Sequence, residues 1–300
     1  MLQVIETYLA LRRATGFAMS NAEYLLKSFA AFAAERGQTH VEMQTAIDWA
    51  TLGPSVGQRD ARLRAVCRFV RHARVEDVRH ELPPANHFGA CKRRRTPHIY
   101  TTGEIGRLIE AGLRLRPMRG MCPCTQATLI ALLSATGLRI SEALKLTIAD
   151  VTREGLLIRE TKFRKTRLVA LHDTATAGLR RYLDHRGPGS KNDPVFIDTR
   201  GRQLRYIAVK ETFDVLVNKA GIKSRSGHRP RLHDLRHTFA VRALQGSSTG
   251  RGRCGAHMVA LATYMGHVNI YATYWYLEAT VDLLRDVATA GETFMSEVSA

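Results

Sequence analysis

Apolar residues recur at helical spacing through the first third of the chain. Two sets share this spacing, namely Leu2, Ile5 and Leu9, then Leu25, Phe29 and Phe32. The stretch between the two sets contains Gly16, a residue that interrupts helices. Apolar residues that return every three or four positions predict amphipathic helices with one face against a core. The pattern therefore predicts an all-helical domain over residues 1–88.

The last helix of this domain is predicted over about residues 56–75, and its two sides differ. The apolar side carries Leu63, Val66 and Val70. By 3.6-residue arithmetic the opposite side carries three arginines, Arg64, Arg68 and Arg71. A charged stripe is usually a solvated helix surface, but an unmixed arginine stripe also suits contact with the phosphates of DNA. Both interpretations stay open on the pattern alone.

A segment of different composition follows at residues 89–97. It ends at Pro97 and contains four consecutive cations, Lys92, Arg93, Arg94 and Arg95. Like charges repel one another, and proline disfavours helix in the residue before it. The segment is therefore predicted to be an extended linker between two domains. A DNA backbone lying along it would neutralise its charges.

The second part of the chain begins with helices. The sequence Thr101–Glu104 has the form of a capping box, in which a hydroxyl and a carboxylate satisfy each other's backbone donors. A helix is predicted from there through Leu113, and another over about 125–135.

A hairpin and further helices are predicted after these. Residues 155–160 and 167–171, with the apolar runs Leu156–Ile158 and Leu168–Ala170, predict two short strands around the turn 161–166. Helices are expected again over 232–288, interrupted by a loop at 246–255 that is rich in glycine and serine. The fold class expected from these elements is mainly α with a small antiparallel β-sheet.

The charge balance favours a polyanionic partner. The 300 residues include 45 Lys and Arg against 27 Asp and Glu, which gives a formal net charge of +18. The isoelectric point of 10.3 exceeds the value of about 9 that marks nucleic-acid-binding domains. No apolar stretch approaches the roughly 20 residues of a membrane span. Nucleic acid is therefore favoured over a membrane or other anions.

The N-terminal sequence and the cysteines favour the cytoplasm. Met1–Glu6 lacks the basic and apolar regions of a signal peptide. Cys122 and Cys124 are closer together than the cysteines of a zinc knuckle. The five cysteines are odd in number and scattered, at Cys67, Cys91, Cys122, Cys124 and Cys254. They are interpreted as reduced thiols, and no metal site is expected.

Four patches carry groups that bind anions or transfer protons. Arg139 follows a glycine in the sequence ATGLRISE, at the predicted start of a helix. His233 and Arg236 are three residues apart, so that on a helix they share one face and converge on one small anion. His267 follows a glycine, and Tyr276 lies nine residues later. Taken singly, the pair His233 and Arg236 is more typical of a helix surface and the aromatic residues near Tyr276 of a core, and Arg139 alone indicates little.

The order of these patches resembles the catalytic signature of tyrosine recombinases, the phage-integrase type. The resemblance covers residues 97–285. It implies a helical core-binding (SAM-like) DNA-binding domain over 1–88, a basic linker over 89–97, a catalytic domain over 98–289 and a C-terminal tail over 290–300. The implied activity is site-specific cutting and rejoining of DNA, as in the integration, excision or transposition of a mobile element.

The resemblance also assigns catalytic residues. They are Arg139, Lys162, His233, Arg236, His267 and Tyr276. Tyr276 matches the nucleophile, and Lys162 matches the first lysine of the hairpin pattern, which would protonate the leaving 5′ oxygen. The two guanidinium groups would hold the nonbridging oxygens of the phosphate, with His233 as proton acceptor and His267 as hydrogen-bond donor. A 3′-phosphotyrosine retains the bond energy, so neither ATP nor another cofactor is expected.

Three features leave alternatives open. Lys165 is the second candidate for the hairpin lysine, because a hairpin register can slip. Tyr274 is a rival nucleophile near Tyr276. The loop Gln245–Ala256 is longer than is usual in the family, and either contacts DNA or is disordered.

Other functions and the expected partners follow from the resemblance. A type IB topoisomerase shares this chemistry, but the short N-terminal domain argues against it. A catalytically inactive DNA-binding accessory protein is the other alternative, and the complete catalytic set argues against that. The expected partners are double-stranded DNA and sister subunits, as a homotetramer or a mixed tetramer on two sites. Phe294 and Met295 are expected to anchor the tail on a neighbouring subunit.

Overall fold

The chain divides into two compact units, Met1–Arg95 and Thr96–Ala300. A computed structural model describes residues 1–89, 95–116, 122–159, 166–223, 227–245, 251–266 and 273, with the backbone alone over 251–255. The described residues are mostly helical and include one two-stranded antiparallel sheet, so the predicted fold class is confirmed. Within these ranges, no helix has both the length and the apolar character needed to cross a bilayer.

The described part of the first unit consists of four helices. They are α1 (Leu2–Ala14), α2 (Ser20–Ala34), α3 (Met43–Thr51) and α4 (Val56–Ala73). Their inner faces form one apolar core in which Ile5, Phe29 and Phe69 are fully buried. Phe29 meets Trp49 edge to face, with ring centroids 5.4 Å apart, an arrangement that aromatic quadrupoles favour. The apolar side of α4 joins this core, and its arginine side faces outward.

One residue of the predicted apolar pattern lies outside the core. The helical spacing predicts Leu2 on the buried face with Ile5 and Leu9, but Leu2 is 50% exposed. It is the first residue of α1, a turn before Ile5, and the core does not extend to it.

The described part of the second unit contains seven α-helices. They are α5 (Thr102–Leu113), α6 (Pro123–Thr136), α7 (Ile140–Lys145), α8 (Asp173–Arg186), α9 (Tyr206–Lys219), α10 (Asp234–Gln245) and α11 (Arg251–Met265). Helix α6 packs against α5, α8 and α10, and its buried residues lie on every side, as is typical of a central helix. Pro123 begins α6, and Gly137 ends it in the left-handed conformation.

The start of α5 matches its prediction. The Thr101 hydroxyl accepts a hydrogen bond from the Glu104 amide, and the Glu104 carboxylate accepts one from the Thr101 amide. The helix ends at Leu113, as predicted.

The predicted hairpin is present, with shorter strands than predicted. Strand β1 spans Leu156–Ile158 and β2 spans Arg167–Val169, so β2 begins at the predicted residue, and both strands end two residues before the predicted 160 and 171. Pairing of Leu156 with Val169 and of Ile158 with Arg167 sets these limits. The turn, with Lys162 and Lys165, lies outside the described residues.

The predicted glycine- and serine-rich loop is shorter than expected. Because α11 begins at Arg251, residues 251–255 are helical, and the interpretation of Gln245–Ala256 as one loop is wrong. Glycine disfavours helix by about 1 kcal/mol per residue, but tertiary packing overrides propensity. Here Met258 and Leu261 of α11 pack into a cluster with residues of α10. Residues 246–250 lie outside the described part of the chain.

Candidate active site

Arg236 joins three sequence motifs that are far apart along the chain. It lies in the first turn of α10 and is only 2% exposed. Its Nη1 donates to the carbonyl oxygen of Gly137 at 2.5 Å, and its Nη2 donates to that of Met265 at 2.7 Å. These carbonyls precede Arg139 and His267 by two residues each. Charge-assisted hydrogen bonds of this kind are strong and directional, so the guanidinium group fixes the two segments against α10.

Two of these segments turn at glycines that no other residue could replace without strain. Gly137 and Gly266 have φ values of +60° and +66°, in the left-handed region. A Cβ atom at Gly137 would lie 2.5 Å from Cδ1 of Phe239, and one at Gly266 would lie 2.7 Å from Nη1 of Arg167. The glycines of the ATG and MG motifs therefore allow close packing at the candidate site.

Arg139 lies directly before α7. Its guanidinium group and that of Arg236 both reach the carbonyl oxygens at the end of α11. Its Nη2 donates to the carbonyl oxygen of Gly266 at 3.3 Å, next to the Met265 carbonyl that Arg236 binds. Its Nη1 donates to Oε1 of Glu142 at 2.7 Å. One third of the Arg139 side chain is exposed, at 33%. The two predicted arginines thus converge at the end of α11, one accessible to a ligand and the other buried behind it.

Glu142 and Arg167 form a buried ion pair that the sequence motifs do not predict. Oε2 of Glu142 accepts a hydrogen bond from Nη2 of Arg167 at 2.9 Å, and Oε1 accepts one from Nη1 at 3.2 Å. Nε of Arg167 donates to the carbonyl oxygen of Tyr264 at 2.9 Å. The pair ties the hairpin that carries Lys162 to both α7 and α11.

The electrostatics of Glu142 follow from its position between two arginines. Burial alone would raise the pKa of its carboxyl group. Hydrogen bonds from the Arg167 side chain and the Arg139 amide outweigh burial and hold the pKa below its usual value. Glu142 is therefore an anion that orients Arg139. The signal in the sequence for its contact with Arg139 is its place three residues later.

His233 immediately precedes α10 and lies close to the positive charge of the buried Arg236. The residue is solvent-exposed, although protein atoms crowd its ring, which lies 4.9 Å from the ring of His237. The neighbouring protein atoms displace part of the water around the ring, and this desolvation, together with the positive charges of Arg236 and Arg231, lowers the pKa of His233. A neutral imidazole at neutral pH is able to accept a proton. His237 is buried, and its burial lowers its pKa to about 3, so it is also neutral there.

A hydrogen-bonded network fixes the start of α10. Asp234 is 2% exposed, and its carboxylate accepts hydrogen bonds from the backbone amide and Nη2 of Arg231, both at 2.9 Å. Thr238 donates to the Asp234 carbonyl oxygen and accepts from the Tyr100 amide, each at 2.9 Å. The Tyr100 hydroxyl donates to the Arg231 carbonyl oxygen at 3.1 Å. The segment before α5 is thus joined to the turn that carries His233.

Several predicted site residues lie outside the described part of the chain. They are Lys162, His267 and Tyr276, with their neighbours Lys165 and Tyr274, and the linker residues Lys92, Arg93 and Arg94. Arg95 is described and is half-buried. Thr273, three residues before Tyr276, is fully buried.

In the first unit, three arginines of α4 line one small cleft. This three-arginine cluster consists of Arg64, Arg68 and Arg71, and the cleft of about 290 Å³ also borders Cys67 and Asn86. Nε of Arg64 is 3.0 Å from Oδ2 of Asp60, so part of the charge is compensated. Cys67 is a free thiol that donates to the carbonyl oxygen of Pro83, and its burial raises its pKa. The cleft is therefore suited to an anion.

Metal ligands are not grouped in the described residues. Among the side chains of those ranges, no three or more His, Cys, Asp or Glu residues lie together as a metal ion would require. Cys67, Cys122 and Cys124 are free thiols.

Known proteins resemble this chain over most of its length. A model of the phage integrase family matches residues 104–282. The putative integrase/recombinase y4rB of Sinorhizobium fredii is 33% identical over 297 residues, covering 95% of this chain and 94% of the relative. The tyrosine recombinase XerC of Pelobacter propionicus is 30% identical over 283 residues, covering 87% and 84%.

Solved structures share the fold at lower identity. The Tn1549 transposon integrase in complex with transposon right end DNA has a TM-score of 0.64 at 18% identity and covers 99% of both chains. The lambda integrase tetramer bound to a Holliday junction has a TM-score of 0.62 at 16% identity, covering 91% of this chain and 76% of that one.

Proposed function

The chain belongs to the phage integrase family, which acts in site-specific DNA recombination, and we propose that it cuts and rejoins DNA through a covalent 3′-phosphotyrosine at Tyr276. We assign it to the recombinases of mobile elements, in keeping with the transposon integrase among its structural neighbours. The first unit would bind DNA through the three-arginine cluster and the basic linker. The second unit would carry out the chemistry.

The observation that carries this proposal is the convergence of Arg139 and Arg236. Their guanidinium groups donate to successive carbonyls at the end of α11, immediately before His267. A phosphodiester that becomes five-coordinate concentrates negative charge on its nonbridging oxygens, and preorganised cations stabilise that charge. Arg139, a third exposed, would contact the phosphate first. Arg236 would add its positive charge from the buried side and would hold the segments of Gly137 and Met265 in place through its hydrogen bonds.

Two other side chains would carry out the proton transfers of the proposed reaction, and a third would donate a hydrogen bond. A tyrosine hydroxyl has a free pKa near 10 and needs a base to become a nucleophile. His233 suits that role because its pKa is lowered, so that it is neutral and ready to accept a proton. Lys162 would protonate the departing 5′ oxygen, and His267 would donate a hydrogen bond to a nonbridging oxygen. The phosphotyrosine bond retains the energy for rejoining, so the steps require no nucleotide cofactor.

The proposed partners are double-stranded DNA and three further subunits. The net charge of +18 favours a polyanion, and the lambda integrase neighbour is a tetramer bound to a Holliday junction. We propose a homotetramer, or a mixed tetramer with sister recombinases, that assembles on two DNA sites.

The proposal is tested by trapping the covalent intermediate. Duplexes that bind the protein are first selected from a random-sequence pool, and the selected site is then nicked near its centre to prevent rejoining. A protein–DNA adduct that survives denaturant is expected. Binding without any adduct would instead indicate a DNA-binding accessory protein. Relaxation of supercoiled plasmid by the isolated monomer would indicate a topoisomerase.

A further inference from the structure

An open groove lined in part by polar and charged side chains begins at Arg139. Its volume is about 840 Å³. Helix α7 forms one side, and the end of strand β1 forms the other. Polar and charged side chains along it include Arg139, Ser141, Lys145, Arg159, Asn192 and Gln203. None of these residues other than Arg139 has a role in the chemistry above.

The carboxylates of the groove are already neutralised by protein groups. Glu142 is paired with Arg139 and Arg167. Asp150 is 4% exposed, and its carboxylate accepts hydrogen bonds from Nε of Arg159 at 2.5 Å and from Thr147 at 2.8 and 3.0 Å. Both acids are buried, whereas the cations reach the surface. The groove therefore presents positive charge to a ligand.

Lys145 and Arg159 are the cations available beyond Arg139. Lys145 is exposed in the last turn of α7, and within the described ranges it has no ion-pair partner. Arg159 is paired with Asp150, yet its side chain remains 57% exposed. Each has donors that a phosphate oxygen can accept.

The spacing of these cations fits a nucleic-acid strand. Lys145 follows Arg139 by six residues, which is about 9 Å along a helix axis at 1.5 Å per residue. Phosphates of one DNA strand advance by about 3.4 Å of duplex axis each, so a duplex whose axis runs parallel to α7 would place a phosphate at Lys145 two to three nucleotides from the one at Arg139. Arg159 directly follows β1 and is the last described residue before the segment that contains Lys162. The groove thus leads along the active site between α7 and the hairpin.

We propose that Lys145 and Arg159 bind the phosphodiester backbone of the cleaved strand, two to three nucleotides from the phosphate held by Arg139. This inference rests on the proposed function, because it takes the scissile phosphate to lie at Arg139. Lys145 and Arg159 are positioning residues that hold the strand in line with the nucleophile. They read phosphate rather than base sequence.

The first test measures the salt dependence of binding to a random-sequence duplex. Lys145→Gln in the full-length chain should lower the slope of log affinity against log salt by about 0.9, the value for one phosphate contact. Lys219→Gln is the matched control, because Lys219 is also an exposed lysine in the last turn of a helix but does not border the groove. It should leave the slope unchanged. Arg159→Gln should act like Lys145→Gln, provided that thermal unfolding shows the variant folded without its Asp150 pair.

A second test locates the contact. Single phosphates beside the cleavage position are replaced one at a time by uncharged methylphosphonates. In wild type, one replacement two to three nucleotides from the cleaved phosphate should weaken binding as much as Lys145→Gln does. The variant and that replacement together should cost no more than either alone, because they remove one shared contact.

The outcomes separate this inference from the proposed function. An unchanged salt slope in Lys145→Gln, with normal binding by wild type, overturns the inference that the groove binds the DNA backbone and leaves the recombinase proposal intact. Additive effects at every replaced phosphate also overturn it. A missing covalent adduct would overturn the proposed function, while a reduced slope in the variant would still support a backbone-binding groove.

Discussion

The ion pair between Glu142 and Arg167 leads to a prediction whose size follows from burial. The two side chains are 8% and 11% exposed. Glu142→Gln keeps the shape of the residue but removes the charge that faces Arg167 and Arg139. Loss of one partner of a buried pair costs about 3–5 kcal/mol, and the amide retains some hydrogen bonding, so we expect about 3 kcal/mol. For a unit of this size that lowers Tm by about 6–12 °C.

The same pair predicts a pH dependence with a definite sign. The pKa of Glu142 is lower in the folded chain than in the unfolded one, where it is about 4.3. The stabilisation is therefore fully present above the unfolded pKa and is lost as pH falls through the folded pKa. Wild type should lose this contribution below about pH 4, and Glu142→Gln should lack it at every pH.

The assay is thermal unfolding by calorimetry at neutral and at acid pH. Glu110→Gln is the control, because Glu110 is 61% exposed in a surface pair with Arg114 and its loss should cost no more than about 0.5 kcal/mol. If Glu142→Gln at neutral pH is as stable as Glu110→Gln, the proposed positioning of Arg139 by a buried anion is refuted.

Three further predictions concern the phosphate contacts and the assembly. Arg139→Ala should slow DNA cleavage by about two orders of magnitude or more while binding persists, since one such donor contributes about 3 kcal/mol in the transition state; cleavage at the wild-type rate would remove Arg139 from the site. Replacing the whole three-arginine cluster with glutamine should lower the salt slope of binding by up to about 2.7, at about 0.9 per contact; an unchanged slope would make the cluster a solvated surface. Truncation after Ala290 should leave single-site binding intact and impair pairing of two sites, measured by native gel; normal pairing would mean that the tail has no docking role.

Local sequence signals predict the elements well where the interactions themselves are local. The capping box at Thr101 and the end of α5 at Leu113 depend on residues within a few positions of each other, and both match the structure. Strand β2 begins at the predicted Arg167 but ends two residues before the predicted Leu171, because its pairing with β1 ends at Val169. The start of α11 at Arg251 was missed because glycine propensity argued for a loop, while packing on α10 favours a helix.

The candidate site was only partly predictable for the same reason. The motifs identify Arg139, His233 and Arg236 as polar residues of one site, but their spacing does not indicate how deeply each side chain is buried. Only the packed structure shows Arg236 buried with its donors on Gly137 and Met265 carbonyls, 99 and 29 residues away. The Glu142 pair spans 25 residues between α7 and the hairpin, and no local pattern encodes it.

The identity of the nucleophile is the central claim, and adduct formation tests it most directly. Tyr276→Phe removes one oxygen and keeps the ring, so folding and DNA binding should persist. On a nicked duplex carrying the selected site, wild type and Tyr274→Phe should form a denaturant-resistant adduct, and Tyr276→Phe should form none. An adduct from Tyr276→Phe that is absent in Tyr274→Phe would contradict the assignment of Tyr276, and an adduct that survives in both variants would show that Tyr276 is not the required nucleophile.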